Sequence, residues 1–253
     1  MHKMLLKVCL FSLVMISLFS AGFADEDTPL PLRVNIGIEK STNPKDIAPI
    51  FQVVILMTLL TLAPALLTML TCFTRIAVIL SFLRRALAMG TQPSNQIVIG
   101  LSLFLTFYVM APVGKEINDK AITPYIDGTI TQKQAFKEAL QPIRTFMFKY
   151  TNKKDIALFV NIAKMEKPET KDDIPTHILI PAYIISELKT AFQIGFLLFL
   201  PFLVIDMVVA SVLLSMGMIV LPPITISTPF KVLLFVMVDG WNLIIQSITM
   251  GFS

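Results

Sequence analysis

The chain has 253 residues, of which 55% are hydrophobic and 15% are charged, and its formal net charge is +4 at pH 7. Soluble domains carry about 25% charged residues, so this composition indicates an integral membrane protein and excludes an ordinary soluble domain. The small excess of positive charge is dispersed along the sequence, which argues against a nucleic-acid partner.

The first 49 residues are predicted to lie outside the folded part of the protein. Residues 1–24 have a basic start, a short apolar core and small residues at a cleavage site, which is typical of a secretory signal peptide. An uncleaved anchor helix is the alternative interpretation. Residues 25–49 are polar and contain four prolines, so we expect a mobile extracytoplasmic tether.

Residues 50–113 are predicted to form a first apolar helical hairpin. Its first part is apolar apart from Arg75, and Pro64 marks a predicted kink. A charge at membrane depth usually faces protein or water, so Arg75 either has a buried partner or extends to the interface beside Arg84 and Arg85. The positive-inside rule places Arg84 and Arg85 in the cytoplasm.

The next helix is predicted to begin at Ser94 or Asn95 and to end near Pro112. Residues 114–176 then hold most of the charges and are predicted to form a charged helical domain in the periplasm. Two amphipathic helices are expected there, at residues 131–149 and 154–165. The first has an apolar face made of Phe136, Leu140 and Ile143. The charges of this domain are expected to form a solvated face.

Residues 177–253 are predicted to form a second apolar helical region with a methionine-containing loop. From residue 190 to residue 238 the only charges are Asp206 and Lys231, which leaves room for two membrane spans. Prolines are expected to kink or stop the helices at positions 201, 222, 223 and 229.

One face of the first helix in this region carries Glu187, Ala191 and Gly195 at intervals of four residues. The small residues Ala191 and Gly195 on this face allow another helix to approach closely, which would bury Glu187 against protein.

Charged residues at membrane depth are expected to be paired, because an isolated buried carboxylate is costly. For Asp206 we predict Lys231 as the first candidate partner and Arg75 as the second, within the chain or across a subunit boundary. Glu187 and Lys189 are expected to make similar contacts.

The last helix is predicted to be continuous after Pro229 and to carry a polar stripe. At about 100° per residue, one face holds Lys231, Asp239, Asn242, Gln246 and Thr249. Packing within an oligomer and lining of a conduit are the two interpretations of this stripe.

Four segments of the sequence, taken in order, resemble those of one protein family. They are LTCFTRIAVILSFLRRAL (residues 70–87), NQIVIGLSLFLTF (95–107), PAYIISELKTAFQIGF (181–196) and PFKVLLFVMVDGW (229–241). The resemblance is to the FliP family of flagellar and type III secretion export-gate proteins, and it covers roughly residues 48–250. The expected fold is all-α: a polytopic membrane-type protein with kinked apolar helices and a small helical extracytoplasmic insertion.

The resemblance implies a core subunit of the flagellar type III protein export gate. Such proteins form a homo-oligomeric ring with FliQ-like and FliR-like subunits in the bacterial inner membrane, at the flagellar basal body. The assembly is a conduit through which unfolded flagellar polypeptides are exported. Two cysteines and two histidines offer no metal site, and no cofactor is expected.

The family also carries a methionine-rich loop before a double proline, which is thought to seal the pore. The matching stretch consists of Met216, Gly217, Met218, Ile219, Val220 and Leu221. Ile219 and Val220 depart from the family's fuller methionine run, which implies a stiffer seal. The alternative is that these are ordinary core residues.

Other functions are compatible with the residues. Helices broken near Pro201 and Pro222 would also suit a small-solute channel or secondary transporter. A purely structural membrane scaffold is the other alternative. An enzyme is not expected, because Asp206 and Asp239 lie in no recognisable catalytic motif.

Overall fold

Long helices dominate the computed structural model, which describes residues 44–166, 168–218 and 220–252. Within these residues there is no β-strand, which confirms the all-α prediction. The helices are α1 (Pro44–Leu70), α2 (Phe73–Ala86), α3 (Asn95–Ile117), a π-helical turn (Asn118–Ile122), α4 (Thr123–Ile126), α5 (Gln132–Tyr150), α6 (Lys153–Ile162), α7 (Thr176–Ser215), α8 (Pro223–Met237) and α9 (Gly240–Met250). The predicted signal peptide lies outside the described residues.

Helix α1 begins at Pro44, inside the stretch that the sequence predicts to be a mobile tether, so the last residues of that stretch are helical. The helix bends by 45° between Leu62 and Pro64, as the predicted kink at Pro64 requires. Residues 54–253 form one compact unit, and residues 44–53 are the described part of the other.

The core of the compact unit lies between α2 and α7, which pack against each other more extensively than any other pair of helices among the described residues. Helix α2 contributes Ile76, Ile79 and Leu83, whose spacing of three and four residues places them on one face. Helix α7 contributes Leu179 and Tyr183, and α5 closes the core from a third side. The charged insertion is therefore joined to the apolar helices by packing.

Close contact between α2 and α7 depends on small residues. Ala191 is fully buried, and a Cβ atom built on Gly195 would lie 2.6 Å from two ring carbons of Phe82. The Phe82 ring is itself held by edge-on contacts with Phe192 and Phe199, at centroid distances of 5.3 and 5.9 Å. The ring cannot yield without disturbing both neighbours, so Gly195 fixes how closely the two helices approach.

The Gly195→Ala variant should therefore be destabilised by about 1–3 kcal/mol through overpacking, measured as a lower unfolding midpoint in detergent. Gly100→Ala is the matched control, because Gly100 is also helical and a Cβ there would meet nothing within 4 Å. We expect the control to be neutral or more stable, since alanine is the better helix former. Equal midpoints for the two variants would contradict the close approach at Gly195.

The two amphipathic helices predicted in the charged insertion are confirmed as α5 and α6. Thr131 caps α5 through a capping box, in which its hydroxyl accepts from Gln134 N and the Gln134 side chain accepts from Thr131 N. The predicted apolar face is wrong at one position, because Phe136 is 68% exposed. The buried face of α5 is set further along the helix, by Phe146 and Met147.

The sequence predicts a helix end near Pro112 and a kink or an end at Pro201 and Pro229, and all three prolines lie within helices. Pro112 lies inside α3, Pro201 inside α7 and Pro229 inside α8. A proline removes one backbone donor, but long apolar helices tolerate this loss because neighbouring turns and helices compensate. The predicted helix end near Pro112 is therefore wrong, and α3 continues to Ile117.

Two helical segments, residues 95–126 and 176–215, are long and apolar enough to cross a membrane. Two bent pairs, residues 53–70 and 223–250, raise this number to four if each pair is one span. These assignments rest on length and composition, and they agree with a membrane protein.

Candidate functional site

The loop between α7 and α8 is the part of the described chain that the sequence marks as a pore seal. Met216 is 62% exposed, Met218 39% and Val220 95%, so these side chains have little packing within this subunit. Ile219 lies outside the described residues. A core role within the chain does not fit side chains this exposed, so they are free to contact another molecule.

Gly217 ends α7, which corrects the prediction that Pro222-Pro223 ends it. Gly217 has φ +75°, and its N–H donates to Leu214 O while Met218 N donates to Leu213 O. This pattern is a Schellman motif, in which glycine adopts the left-handed conformation without steric cost. Pro222 and Pro223 instead begin α8, where the missing proline N–H costs nothing, because a backbone N–H in the first turn of a helix has no intrahelical partner.

An ion pair joins α7 to α8 below this loop. Lys231 Nζ lies 2.6 Å from Asp206 Oδ2, and the Ser227 hydroxyl donates to Asp206 Oδ1. Lys231 Nζ also lies 3.4 Å from Ala86 O at the end of α2. Asp206 lies about 14 Å along α7 from the loop, at 1.5 Å per residue. The pair thus ties three helices together and fixes the base of the α7–α8 hairpin.

A second ion pair, between Arg75 and Glu187, is buried in the core between α2 and α7. The side chains are 7% and 0% exposed, and Arg75 Nη2 contacts Glu187 Oε1. In the structure, Asp206 thus pairs with Lys231, its first predicted partner, and Arg75 pairs with Glu187. Arg75 has a buried partner and does not extend to the interface.

The third ion pair joins the charged insertion to α7. Asp155 on α6 accepts from the Ser186 hydroxyl at 2.7 Å and from Lys189 Nζ, and Asn152 N donates to Ser186 Oγ. Asp155 is 2% exposed, so it is an exception to the prediction that the charges of this domain form a solvated face. No feature of the sequence signals this burial, because an acidic residue in the first turn of a helix is ordinarily exposed.

The Lys189 ammonium beside Asp155, helped by Ser186, holds the pKa of that carboxyl below its ordinary value of 3.8. A lowered folded-state pKa stabilises the fold above about pH 4, and this stabilisation is lost as the pH falls through the folded pKa. We therefore expect Asp155→Asn to lower the unfolding midpoint at pH 7, and the difference from the unmodified protein to shrink as the pH falls below about 4 towards the folded pKa. Asp172→Asn, at an exposed carboxyl, is the control. A difference that persists unchanged at pH 3 would contradict the ion pair.

The predicted polar stripe on one continuous last helix is wrong, because the chain breaks between α8 and α9 with a bend of 65°. Asp239 adopts the left-handed conformation there, with φ 51° and ψ 52°. A Cβ on Gly240 would lie 2.3 Å from the Phe235 ring, so glycine is required next to the bend. Lys231 and Asp239 therefore belong to different helices, and the Asp239 side chain accepts from Asn242 at 3.2 Å.

The outward faces of the apolar helices are left uncovered by the residues that the structure describes. On α3, Phe104, Phe107 and Tyr108 are each more than 70% exposed, and on α7 Phe196 and Leu197 are each more than 60% exposed. Apolar surface of this extent requires lipid or other protein against it. The acidic and basic side chains of α7 and α8 are instead paired within the chain, in the ion pairs described above.

The geometry of these residues supports contact with other molecules, and it assembles no reaction centre that we can identify in the described part of the chain. No group of three or more His, Cys, Asp or Glu side chains comes together there as a metal site requires. The three ion pairs hold helices in place. The exposed loop and the exposed apolar faces are the parts that can meet other molecules.

The amino-acid sequence of this chain is similar to those of known proteins. A sequence model described as the FliP family matches residues 56–248. The flagellar biosynthetic protein FliP of Bacillus subtilis (strain 168) is 54% identical over 217 residues, which cover 86% of this chain and 98% of that protein. The protein of the same name from Aquifex aeolicus (strain VF5) is 42% identical over 240 residues, covering 94% and 98%. The one from Treponema pallidum (strain Nichols) is 44% identical over 221 residues, covering 87% and 82%.

Proposed function

The chain belongs to the FliP family, and from this membership we propose that it is a core subunit of the flagellar type III protein export gate. The observation that carries the proposal is the family match over residues 56–248, which includes the hairpin of α7 and α8 and its loop. Similarity to relatives named flagellar biosynthetic proteins, over most of their length, supports the flagellar role. The role is one of structure and transport, not of enzymatic catalysis.

The protein forms a homo-oligomeric ring together with FliQ-like and FliR-like subunits. The exposed apolar faces of α3 and α7 support this, because they need protein or lipid against them. In the ring, unfolded flagellar polypeptides pass along the axis. The assembly lies in the bacterial inner membrane at the flagellar basal body, and the N-terminal signal peptide directs the chain there.

Loops from neighbouring subunits form the seal of the resting conduit. The exposed side chains of Met216, Met218 and Val220 support this role, since they are apolar and unpacked within one subunit. Methionine side chains are unbranched and deformable, so a collar of them can close around varied polypeptides. Apolar constrictions also exclude ions by dewetting.

Complementation tests the proposed function. We expect the chain to restore swimming and secretion of flagellar proteins to a Bacillus subtilis strain that lacks its own FliP. When the chain is purified with co-expressed partner subunits in mild detergent, native mass spectrometry should find a complex with several copies. Failure to restore secretion despite normal expression, together with a monomeric mass, would contradict the proposal.

The topology of the loops is a further prediction. Residues 114–176 should lie in the periplasm and the turn after α2 in the cytoplasm, by the positive-inside rule. In intact cells, a membrane-impermeant thiol reagent should label Lys133→Cys, at an exposed position on α5, and should leave Ala88→Cys unlabelled until the cells are opened. The reverse labelling pattern would invert the topology.

A further inference from the structure

The end of α9 lies directly over the buried Arg75–Glu187 pair. Helix α9 buries one face, made of Ile244 and Ile248, and its last buried residue in the described chain is Phe252, which is 8% exposed. The guanidinium carbon of Arg75 is 4.2 Å from the centroid of the Phe252 ring. A cation at this distance from an aromatic face is attracted by the negative charge density of the ring.

The Phe252 backbone is fastened as well. Tyr150 Oη, at the end of α5, donates to Phe252 O at 2.5 Å, and the two rings meet edge-on with centroids 5.2 Å apart. The Tyr150 ring also lies 5.3 Å from the guanidinium carbon of Arg75. Arg75 is therefore enclosed by a carboxylate from α7 and two aromatic rings, of which one comes from α5 and the other follows α9.

This enclosure leaves polar atoms without partners. Among the described residues, Arg75 Nε and Glu187 Oε2 are buried without a hydrogen-bond partner, and the same is true of the Tyr183 hydroxyl, one turn before Glu187. A buried polar atom without a hydrogen-bond partner costs free energy, and a hydrogen bond to water would recover that cost. The contacts of Phe252 thus favour its position over Arg75. Hydration of the unpartnered atoms favours movement of Phe252 away from Arg75.

We propose that Phe252 is a latch for α9, closed over the Arg75–Glu187 pair in this structure and able to open without unfolding the core. Opening moves the end of α9 away from Arg75 and admits water to Arg75 Nε and Glu187 Oε2. The core between α2 and α7 stays intact, because its packing is far more extensive than that of α9, which packs mainly against α8. The inference goes beyond the export role, and its test does not require export.

Hydrogen–deuterium exchange of the full-length chain in lipid nanodiscs, followed by mass spectrometry, tests the latch. In Phe252→Ala, amides of α9 should exchange at least ten-fold faster, while amides of α2 and of the first half of α7 change by less than two-fold. Phe252→Tyr, which keeps the aromatic ring, should stay within two-fold of the unmodified protein throughout. Phe252→Leu keeps an apolar side chain without a ring, so it should show the faster exchange in α9 even if the alanine variant proves too unstable.

The control is Met250→Ala, because Met250 is on α9 but 69% exposed, and we expect no change. Unchanged exchange of α9 in both the alanine and the leucine variants would overturn the proposal. Equally faster exchange in α2 and α9 would overturn it too, because Phe252 would then be an ordinary part of one cooperative core.

Discussion

Replacing Glu187 by glutamine should destabilise the protein by about 3–5 kcal/mol, the cost of leaving one member of a buried ion pair without its partner. Arg75 would remain charged in a site where its side chain is 7% exposed, with only the rings of Tyr150 and Phe252 beside it. The unfolding midpoint in detergent should fall by about 10 °C or more. Assembly into a larger complex should fail at growth temperature, because the pair lies in the packing between α2 and α7.

Two further variants show whether the charge pair is the cause. Glu138→Gln removes an exposed carboxyl of the charged insertion and should leave the midpoint unchanged. The double variant Arg75→Met with Glu187→Leu removes both charges and should recover much of the stability, since apolar replacement of a whole buried pair is often neutral. A double variant no more stable than Glu187→Gln would mean that shape, and not charge, makes the site sensitive.

Glycine at positions 216, 218, 219 and 220 should leave the complex assembled and make resting membranes leaky to ions or small solutes. Met216, Met218 and Val220 have little packing within the subunit, so their loss removes few contacts from the fold. Gly217 is kept, so α7 still ends at its Schellman motif. Removal of the apolar collar takes away the dry constriction that excludes ions. The measurement is membrane conductance, or growth sensitivity to a small toxic solute, in cells that express the assembled mutant gate.

The matched control for the loop variant is Met89→Gly, which removes an exposed methionine from the turn after α2. It should neither disturb assembly nor raise the leak. Normal assembly of the loop variant without any increase in leak would show that the loop is not the seal.

Local signals in the sequence were sufficient for the helices of the charged insertion. Thr131 and Gln134 form a capping box and are only three positions apart in the sequence. The start of α5 is therefore determined by local sequence. The kink at Pro64 is local in the same sense. Proline alone misled at Pro112, where the predicted helix end is absent and α3 continues despite the lost hydrogen bond.

The break at Asp239 could not be predicted from periodicity. A periodic pattern assumes one unbroken helix, and the left-handed residue at position 239 turns everything after it by 65°. The cause is a contact between the Gly240 backbone and the Phe235 ring, which the spacing of polar residues does not report.

Long-range pairing was only partly accessible from the sequence. Asp206 and Lys231 are the only charges between residues 190 and 238, and for this reason the sequence predicts that they pair. Arg75 and Glu187 are 112 residues apart, and nothing in the sequence marks Asp155 as the partner of Lys189. Such pairs are fixed by how the helices pack, which depends on contacts such as the one between Phe82 and Gly195.

The glycine that ends α7 also sets a length limit on any seal. The chain is held by the Schellman motif at Gly217 and enters the next helix at Pro222, so five peptide units separate the two anchors. At no more than about 3.6 Å per residue, a segment that must go out and return can project only about 9 Å beyond its anchors. If the proposed ring and seal are correct, loops of this length cannot close a wide channel, so the ring must already be narrow where it carries them. The proposed seal then limits the diameter of the resting pore through the spacing of a glycine and a proline in each subunit.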